Sequence, residues 1–492
     1  MIARHRKLCR LPLRGIPRFR GGAGHPLRRG AVGCPGDHRI RSVFVMTQTT
    51  PNATPRTTTG TTSQAMPHAA TRTRAGGSVR RRRARQSLAA ATAAVVTALA
   101  AAPAFAASEL RPVPVPAPVQ QTTGRGTLIG VTPVGDLSRA DVAAFLKGAG
   151  IDTSTVRHGV RGYRLTYRTL TPQGAPTTAT GLLVLPKGGE RRLDLVADTH
   201  GTMVHRDYAP SVAEDFGLYA PYLHAAAGRA VAAPDYLGLG KGPGLHPYMD
   251  TASSVSASLD MLRASRTAAA ALGRPLTGDV YGTGFSQGGQ VAMGLGRELA
   301  RGADRHFRLR ALAPVAGPYD LRGAEVPALL DGRVNDISGV FYMAYFLTAQ
   351  NRLHPVYADP AEAFRQPYAG YVEQLFDTRH SEEDIVTKLP GSVKELLTDD
   401  FYERLGHPTG GLLTALKAQD GTCDWKPDVP VRLHTAAGDT DVAIANSVSC
   451  AADLARNGVR APVIDHGKAD HNGSFKLAGP QIVRWFDRLT HG

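Results

Sequence analysis

Apolar stretches of strand length alternate with longer helix-like stretches from residue 193 onward. The short stretches are "LDLVADTHG", "AVAAPDY", "DVYGTGFS" and "LRALAPVAG", and the long ones include "SSVSASLDMLRASRTAAAALG" and "QGGQVAMGLGRELARG". Strands that alternate with helices form a mostly parallel sheet with helices on both faces. Ahead of them, Ser138 is predicted to cap a short helix, and "GYRLTYRTLT" and "TATGLLVLP" to form an antiparallel hairpin. The predicted fold class is α/β.

The positive charge of the chain is concentrated at its N-terminus. The 492 residues have a formal net charge of +17. Residues 1–106 hold 19 of the 58 Lys and Arg residues but only one of the 41 acidic residues, Asp37. The rest of the chain therefore has 39 basic and 40 acidic residues. A nearly neutral globular part does not support nucleic-acid binding.

The N-terminal segment has the organisation of an export signal. Residues 80–106 contain an arginine cluster, an apolar run from Leu88 to Leu99 and an Ala-Phe-Ala end at Ala106. This pattern predicts a signal peptide and a secreted, extracellular protein, by either the general or the twin-arginine route. Residues 1–79 are predicted to be a disordered leader, or to lie upstream of the true start codon. Residues 107–127 are predicted to be a Pro-rich linker.

Two cysteines, Cys423 and Cys450, remain after removal of the signal peptide. An exported protein meets oxidising conditions, so these two residues are predicted to form one disulfide bond.

A serine lies among glycines where a predicted strand meets a predicted helix. The segment Gly284-Phe285-Ser286-Gln287-Gly288 has the spacing G-x-S-x-G. In that setting the turn holds the serine in a strained conformation, and its neighbours must be small. The pattern predicts that Ser286 is a nucleophile. The alternative is a glycine-rich turn in which the serine only caps a helix.

A nucleophilic serine needs a histidine as base and an acid that orients the histidine. After the strand "VPVRLHTAAGD" the sequence offers Asp439 and Asp441, and the preferred acid is Asp441, which lies further into the turn. Three histidines follow these aspartates, as the chain order serine, aspartate, histidine requires. His471 is preferred because it lies in the predicted loop before the last helix, over His466 at a strand end and His491 near the terminus.

The tetrahedral intermediate of acyl transfer needs hydrogen-bond donors for its oxyanion. The predicted donors are the backbone N–H of Gln287, which follows the serine, and Thr202 in the loop after "LDLVADTHGT".

These motifs together resemble those of the α/β-hydrolases, and more narrowly the secretory lipase and esterase branch. The residues that carry the resemblance are "YRTLTPQGAPTTATGLLVLP", "THGT", "APDYLGLGKGPGLHPYMD" and "GFSQGG", with the late aspartate and histidine. It covers about residues 128–492. The resemblance implies an α/β-hydrolase fold and hydrolysis of carboxylic esters without a metal or an organic cofactor.

The 154 residues between Ser286 and Asp441 exceed what the core of such a fold needs. Residues 321–426 are therefore predicted to form a helical cap, inserted between core segments 128–320 and 427–492. Its segment "DISGVFYMAYFLTAQN" is apolar all round, so it is either buried between cap and core or lines an acyl pocket. Phe341 and Phe346 in this helix, and Tyr236 in an earlier loop, are predicted to bind substrate.

The predicted function is that of a secreted serine hydrolase, a lipase or carboxylesterase that cleaves hydrophobic or lipid esters through an acyl-enzyme. Transient contact with a lipid surface is expected, and the oligomeric state is open. One alternative is a serine aminopeptidase of the same fold. A non-catalytic binding module is the alternative from another class, but the chain has both the serine and the late histidine.

Overall fold

The computed structural model describes residues 124–491 of the chain. The predicted leader, the signal peptide and nearly all of the Pro-rich linker lie outside the described residues.

Nine strands form one mixed sheet in the order β1-β2-β3-β5-β4-β6-β7-β8-β9. The first three strands and the β3–β5 pair are antiparallel, and all the other pairs are parallel. The strands are β1 (Leu128–Leu137), β2 (Val160–Leu170), β3 (Pro176–Pro186), β4 (Leu193–Thr199), β5 (Ala230–Pro234), β6 (Leu276–Phe285), β7 (Arg308–Val315), β8 (Leu433–Thr435) and β9 (Val463–Asp465).

Helices cover the sheet and fill the long insertion between β7 and β8. They are α1 (Arg139–Gly148), α2 (Tyr219–Ala226), α3 (Thr251–Ala271), α4 (Gln287–Ala300), α5 (Val326–Leu330), α6 (Asp336–Asn351), α7 (Pro360–Ala363), α8 (Val372–Leu375), α9 (Glu382–Val386), α10 (Val393–Leu396), α11 (Asp399–Gly406), α12 (Gly410–Gln419), α13 (Ala445–Arg456) and α14 (His471–His491). Within residues 124–491, no helix is both long enough and apolar enough to cross a membrane.

Alternate residues of the central strands face two separate apolar clusters. Leu183 and Leu185 of β3 pack with residues of α3 and α4, whereas Leu182 and Val184 pack with residues of α1, α2 and α14. Side chains on successive strand residues point to opposite faces of a sheet. The sheet therefore lies between two helical layers, as the alternating sequence pattern predicts.

The cap has an apolar core of its own. Residues 321–426 contribute no strand to the described sheet and contain a π-helical turn (Leu321–Glu325) followed by α5 to α12. The aromatic and aliphatic side chains of α6 form a third cluster with those of the shorter cap helices. Tyr248 and Met249 of the core belong to the same cluster, so apolar packing joins cap and core.

A buried chain of hydrogen bonds also crosses the boundary between cap and core. Gln350 donates from Nε2 to the carbonyl oxygen of Tyr248 (2.7 Å), and Gln419 accepts at Oε1 from the backbone N–H of Thr251 (3.0 Å). Gln290 donates from Nε2 to the carbonyl oxygen of Gln419 (2.6 Å), and the Gln419 amide donates to Gln350 Oε1 (3.4 Å). Glutamines of the cap thus pair with backbone groups of the core.

Several sequence-based predictions of local structure are confirmed. Ser138 caps α1 in a capping box with Asp141, and β2 and β3 form the predicted hairpin. The structure also contains the predicted disulfide between Cys423 and Cys450, which joins the end of the cap to α13.

Other predictions of local structure are wrong. Strand β1 is not among the predicted strands. It is an edge strand in which Ile129, Val131 and Val134 are exposed, and Pro133 interrupts its apolar pattern. The segment "SVAEDFGLYAPYLHAAAG" has the pattern of a single helix, but α2 covers only its last part.

Candidate active site

Ser286 occupies a sharp turn between the end of β6 and the start of α4. Its backbone dihedral angles are φ 56° and ψ −127°, a strained region for a residue with a side chain. The backbone N–H of Ser286 donates to the carbonyl oxygen of Val315 on the neighbouring strand (2.9 Å), which helps to hold the turn. The side chain is 5% exposed. This is the strand–turn–helix setting that the sequence predicts for a nucleophile.

The glycines that flank Ser286 are needed because the turn packs against the end of β4. A Cβ atom on Gly284 would lie 2.1 Å from Thr199 Oγ1, and one on Gly288 would lie 1.9 Å from the Thr199 carbonyl oxygen. Neither position has room for a side chain unless the neighbouring backbone moves, since a Cβ on Gly284 would also lie 2.3 Å from the Gly288 carbonyl oxygen. These distances confirm the expectation that only very small residues fit beside the serine.

His471 pairs with Asp439, not with the preferred Asp441. His471 Nδ1 and Asp439 Oδ2 are 2.7 Å apart, and both side chains are buried. The other carboxylate oxygen of Asp439 accepts hydrogen bonds from the backbone N–H groups of Asp441 (2.9 Å) and Val442 (3.0 Å). This tight turn fixes the Asp439 side chain toward the histidine. The choice of Asp441 as the orienting acid is therefore corrected to Asp439.

Asp441 instead connects the same turn to the cap. Its Oδ1 accepts hydrogen bonds from Asn335 Nδ2 (2.6 Å) and Ser338 Oγ (3.0 Å), at the N-terminus of α6. The backbone N–H of Asn335 also donates to the carbonyl oxygen of Thr440 (2.8 Å). The start of the longest cap helix is thus fastened to the turn that holds Asp439.

His471 is the first residue of α14, where a loop residue was predicted. Its ring packs against the ring of Phe285, the residue before the candidate nucleophile, with the ring centroids 4.4 Å apart and the planes tilted by 36°. Its Nε2 is buried and has no hydrogen-bond partner among the described residues. In contrast, His466 follows β9 and its Nε2 lies 3.2 Å from Nδ1 of His434 on β8, and His491 ends α14.

The surroundings of His471 favour its protonated form. Burial lowers the pKa of His471, but the charge and the hydrogen bond of Asp439 outweigh it, with smaller contributions from Asp441 and Glu325. The net effect raises the pKa of His471 above its ordinary value. An imidazole that gains a proton next to a fixed carboxylate suits the role of general base.

The two candidate oxyanion donors both border the cavity in front of Ser286. The backbone N–H of Gln287 lies at the start of α4 and makes no hydrogen bond in the described part of the chain. Thr202 follows Gly201, where an added Cβ would lie 3.2 Å from Ser286 Cβ. The loop that carries Thr202 therefore runs directly beside the serine, although Thr202 Oγ1 itself bonds to Tyr248 OH (2.9 Å).

A cavity opens in front of Ser286, and the space between its walls, together with the part open to solvent, is about 650 Å³. Core and cap both supply its walls, which are mostly apolar. The lining residues are Thr202, Tyr248, Met249, Ser286, Gln287, Pro318, Leu321, Glu325, Val326, Leu329, Val334, Gly339, Tyr342, Met343, Phe346, Leu416, Asp441 and Val442.

Of the three predicted substrate-binding residues, Phe346 lines the cavity and the other two do not. Gly339, Tyr342, Met343 and Phe346 recur every three or four residues, so they share one face of α6. Phe341 lies on another face and packs against Phe376 within the cap, with ring centroids 6.1 Å apart. The assignment of Phe341 to the pocket is therefore corrected.

Tyr236 is fully buried and has a supporting position. Its ring lies 4.1 Å from the His200 ring, and its hydroxyl group donates to the His200 carbonyl oxygen (3.2 Å). Tyr236 therefore supports the loop that carries Thr202 through its contacts with His200. The assignment of Tyr236 as a substrate-binding residue is corrected.

Glu325 is a polar cavity residue that sequence reasoning missed. It ends the π-helical turn before α5 and lines the same cavity as Ser286. Burial raises the pKa of Glu325 to about 7, although hydrogen bonds from Ala443 and Asn446 oppose this shift. A single glutamate in "RGAEVPALL" carries no motif, so only the fold could reveal its position. Among the described residues, no group of three or more His, Cys, Asp or Glu side chains is arranged to hold a metal ion.

Solved structures with the same architecture include esterases and lipases. A mutant of the rice cell wall degrading esterase LipA from Xanthomonas oryzae is 29% identical, with a TM-score of 0.66 over 75% of this chain and 99% of that one. A putative hydrolase from Legionella pneumophila is 25% identical, with a TM-score of 0.68 over 74% and 98%. Candida antarctica lipase A, at 16% identity and a TM-score of 0.51 over 72% and 80%, shares the fold.

Comparison with protein-family models and with curated proteins finds no match. The sheet, the serine turn and the structural likeness nevertheless define the class, and the protein has the α/β-hydrolase fold. Within that class, the chain is similar to an esterase at 29% identity, and it shares the fold of a lipase.

Proposed function

We propose that the protein is a serine carboxylic-ester hydrolase of the Ser–His–Asp type that acts on hydrophobic esters. The observation that carries the proposal is the strained turn at Ser286, together with a buried histidine that is hydrogen-bonded to a fixed aspartate. A serine that only capped a helix would not require this backbone conformation. The likeness to esterases supports the same reaction.

In this proposal, Ser286 Oγ attacks the ester carbonyl carbon and His471 Nε2 takes the hydroxyl proton. Asp439 keeps the proton of the imidazole on Nδ1, which leaves Nε2 as the basic nitrogen. The N–H of Gln287 stabilises the oxyanion, and Thr202 lies where the second donor is expected. His471 then protonates the leaving alcohol, and water hydrolyses the acyl-enzyme by the same steps.

The apolar cavity supports a hydrophobic substrate. Phe346, Met343 and Tyr342 present one wall from the cap, and Leu416 and Val326 continue it. Burial of apolar chain against such walls contributes about 25 cal/mol per Å². The choice between triacylglycerol lipase and carboxylesterase depends on the acyl length that this cavity accepts, and a chain-length series of p-nitrophenyl esters would measure it.

Fluorophosphonate labelling tests the reaction class directly. The mature protein should be labelled and should hydrolyse p-nitrophenyl esters, whereas Ser286→Ala should not be labelled and should lose activity by about 10⁴-fold or more, because the three residues act as a unit. Ser258→Ala, a buried serine of α3 that bonds only to a backbone carbonyl, is the matched control.

Two outcomes would contradict the proposal. Retention of a tenth of the activity by Ser286→Ala would exclude Ser286 as the nucleophile. An unlabelled and inactive wild-type protein that still bound esters would indicate a binding module.

We also propose that the protein is exported and that its signal peptide is removed after Ala106. The support is the sequence pattern of residues 80–106, together with a disulfide that requires an oxidising compartment. N-terminal sequencing of the protein from the culture medium should begin at Ala107. Recovery of the whole chain inside the cell, with two free thiols, would contradict it.

A further inference from the structure

The cavity in front of Ser286 is apolar except for a few polar side chains, which include Glu325. Tyr248 pairs with Thr202 through its hydroxyl group, and Asp441 is bonded to Asn335 and Ser338. Glu325 and Asp441 are each bonded at only one of their two carboxylate oxygens, and the donors to Glu325 come from the core. A carboxylate placed in an apolar cavity loses the hydration of any oxygen that has no protein partner.

The geometry of Glu325 is fixed by the protein on one side. Its Oε2 accepts hydrogen bonds from the backbone N–H of Ala443 (3.1 Å) and from Asn446 Nδ2 (2.5 Å). Both donors follow directly after the turn that holds Asp439. Oε1 has no hydrogen-bond partner in the described part of the chain. The carboxylate is therefore held in one position with one acceptor oxygen left over.

A second unpaired polar group borders the same cavity. The side chain of Gln287 is 2% exposed, and within residues 124–491 neither its Oε1 nor its Nε2 has a hydrogen-bond partner. Buried polar groups are nearly always paired, because an unpaired group keeps the full desolvation penalty. An alkyl chain that fills the cavity would pair with neither Glu325 nor Gln287.

A hydroxyl group suits Glu325 better than an ammonium group. With a pKa near 7, the carboxylate carries a proton in a substantial fraction of molecules at neutral pH. A hydroxyl group can donate to the ionised form and accept from the protonated form, whereas an ammonium group can pair only with the ionised form.

We propose that Glu325 forms a polar subsite that binds a hydroxyl group of the substrate at Oε1 and thereby selects hydroxylated esters over purely alkyl esters. The inference rests on the proposed ester hydrolysis at Ser286 and adds a substrate class to it. The hydroxyl group belongs either to the acyl chain or to the alcohol, and the test has one arm for each.

The first arm compares p-nitrophenyl octanoate with octanoates that carry one hydroxyl group at successive positions from the fourth carbon outward. The second compares butyl octanoate with the monoester of butane-1,4-diol. For each pair the measurement is the ratio of kcat/KM for the hydroxylated ester to that for the alkyl ester. Because both values come from one variant, a change in total activity or in folded fraction cancels.

In the wild-type protein the ratio should exceed one for at least one hydroxyl position. It should fall about tenfold or more in Glu325→Leu, because a site built for a hydroxyl group discriminates through its paired polar atom. Glu325→Gln keeps an acceptor and should show a smaller fall. Glu383→Gln, an exposed glutamate in the first turn of α9, is the matched control and should leave the ratio unchanged.

Two results would overturn the subsite. One is a wild-type ratio below one at every position in both arms, which requires no variant to fold. The other is agreement within twofold between wild type and Glu325→Leu throughout. A wild-type protein that hydrolyses neither the alkyl nor the hydroxylated esters would instead refute the proposed function.

Discussion

The core and the cap of this molecule contribute different things to the same cavity. The core supplies the proposed reacting groups: Ser286 between β6 and α4, His471 at the start of α14, and Asp439 in the turn after β8. The cap supplies most of the apolar wall from helices with a separate apolar cluster. Chemistry and selectivity should therefore respond to different substitutions. Changes in the core should slow every ester, and changes in the cap should alter which ester is preferred.

The largest expected effect is the difference in lost kcat/KM between substitutions of Asp439 and Asp441, the two aspartates of one turn. Asp439→Asn should lower kcat/KM by on the order of 10⁴-fold for esters of all lengths, because the amide no longer fixes the tautomer of His471. Asp441→Asn should cost less than about tenfold, since its Oδ1 can still accept from Asn335 and Ser338. The measurement is hydrolysis of short and long p-nitrophenyl esters. A larger loss in Asp441→Asn would restore the sequence-based choice.

The disulfide tests how firmly the end of the cap is joined to the core. Cys423 and Cys450 are 27 residues apart, and closing that loop stabilises a protein by about 3–4 kcal/mol in the chain-entropy model. The double variant Cys423→Ala/Cys450→Ala should lose this much free energy of unfolding in a denaturant titration, and reduction of the wild type should give a similar loss. A change below about 1 kcal/mol, or two free thiols in the unreduced protein, would contradict it.

Two phenylalanines of one cap helix sharpen the comparison further. Phe346→Ala should shift the preferred acyl chain by a few carbons, because each methylene in an apolar pocket contributes about 1–3 kcal/mol at most. Phe341→Ala should lower stability without moving the preference, since that ring packs inside the cap. The chain-length profile of each variant gives the answer. Equal shifts in both variants, or none in either, would refute the division of α6 into two faces.

The smallest expected effect concerns pH. A general base must be neutral, so the rate should rise with pH through the pKa of His471. The surrounding carboxylates raise that pKa, which places the midpoint of the profile above the ordinary value of about 6.5. Asp441→Asn removes one of these negative charges and should move the midpoint down. A midpoint that stays in place would show that Asp441 acts only on the cap.

The sequence predicts most of the core because its signals are local. The glycines around Ser286 are required within one turn. The predicted alternation of strands and helices matches the observed order of the central strands and their helices. Strand β1 is different, since its exposed face and its proline remove the alternation. Helix α2 is shorter than its apolar pattern because the preceding residues form turns.

The errors in the candidate site have physical causes that spacing does not contain. Asp439 and Asp441 lie two residues apart in one loop, and the backbone N–H groups that Asp439 captures decide which carboxylate faces His471. Helix α6 is apolar all round, so its periodicity cannot separate the face of Phe346 from that of Phe341. Glu325 approaches the serine only because the π-helical turn brings the start of the cap beside the core.

The buried hydrogen bonds that Gln350 and Gln419 make across the boundary between cap and core limit which other caps the core can accept. A cap grafted from another protein between residues 320 and 427 would bring no counterpart of Gln350 and Gln419. The carbonyl oxygen of Tyr248 and the N–H of Thr251 would then be buried without these partners. Each such group costs about 1–3 kcal/mol. A working chimera must therefore keep a glutamine at both positions of its new cap. In related proteins, we expect changes at these two cap positions to occur together with changes in the core segment around Tyr248 and Thr251.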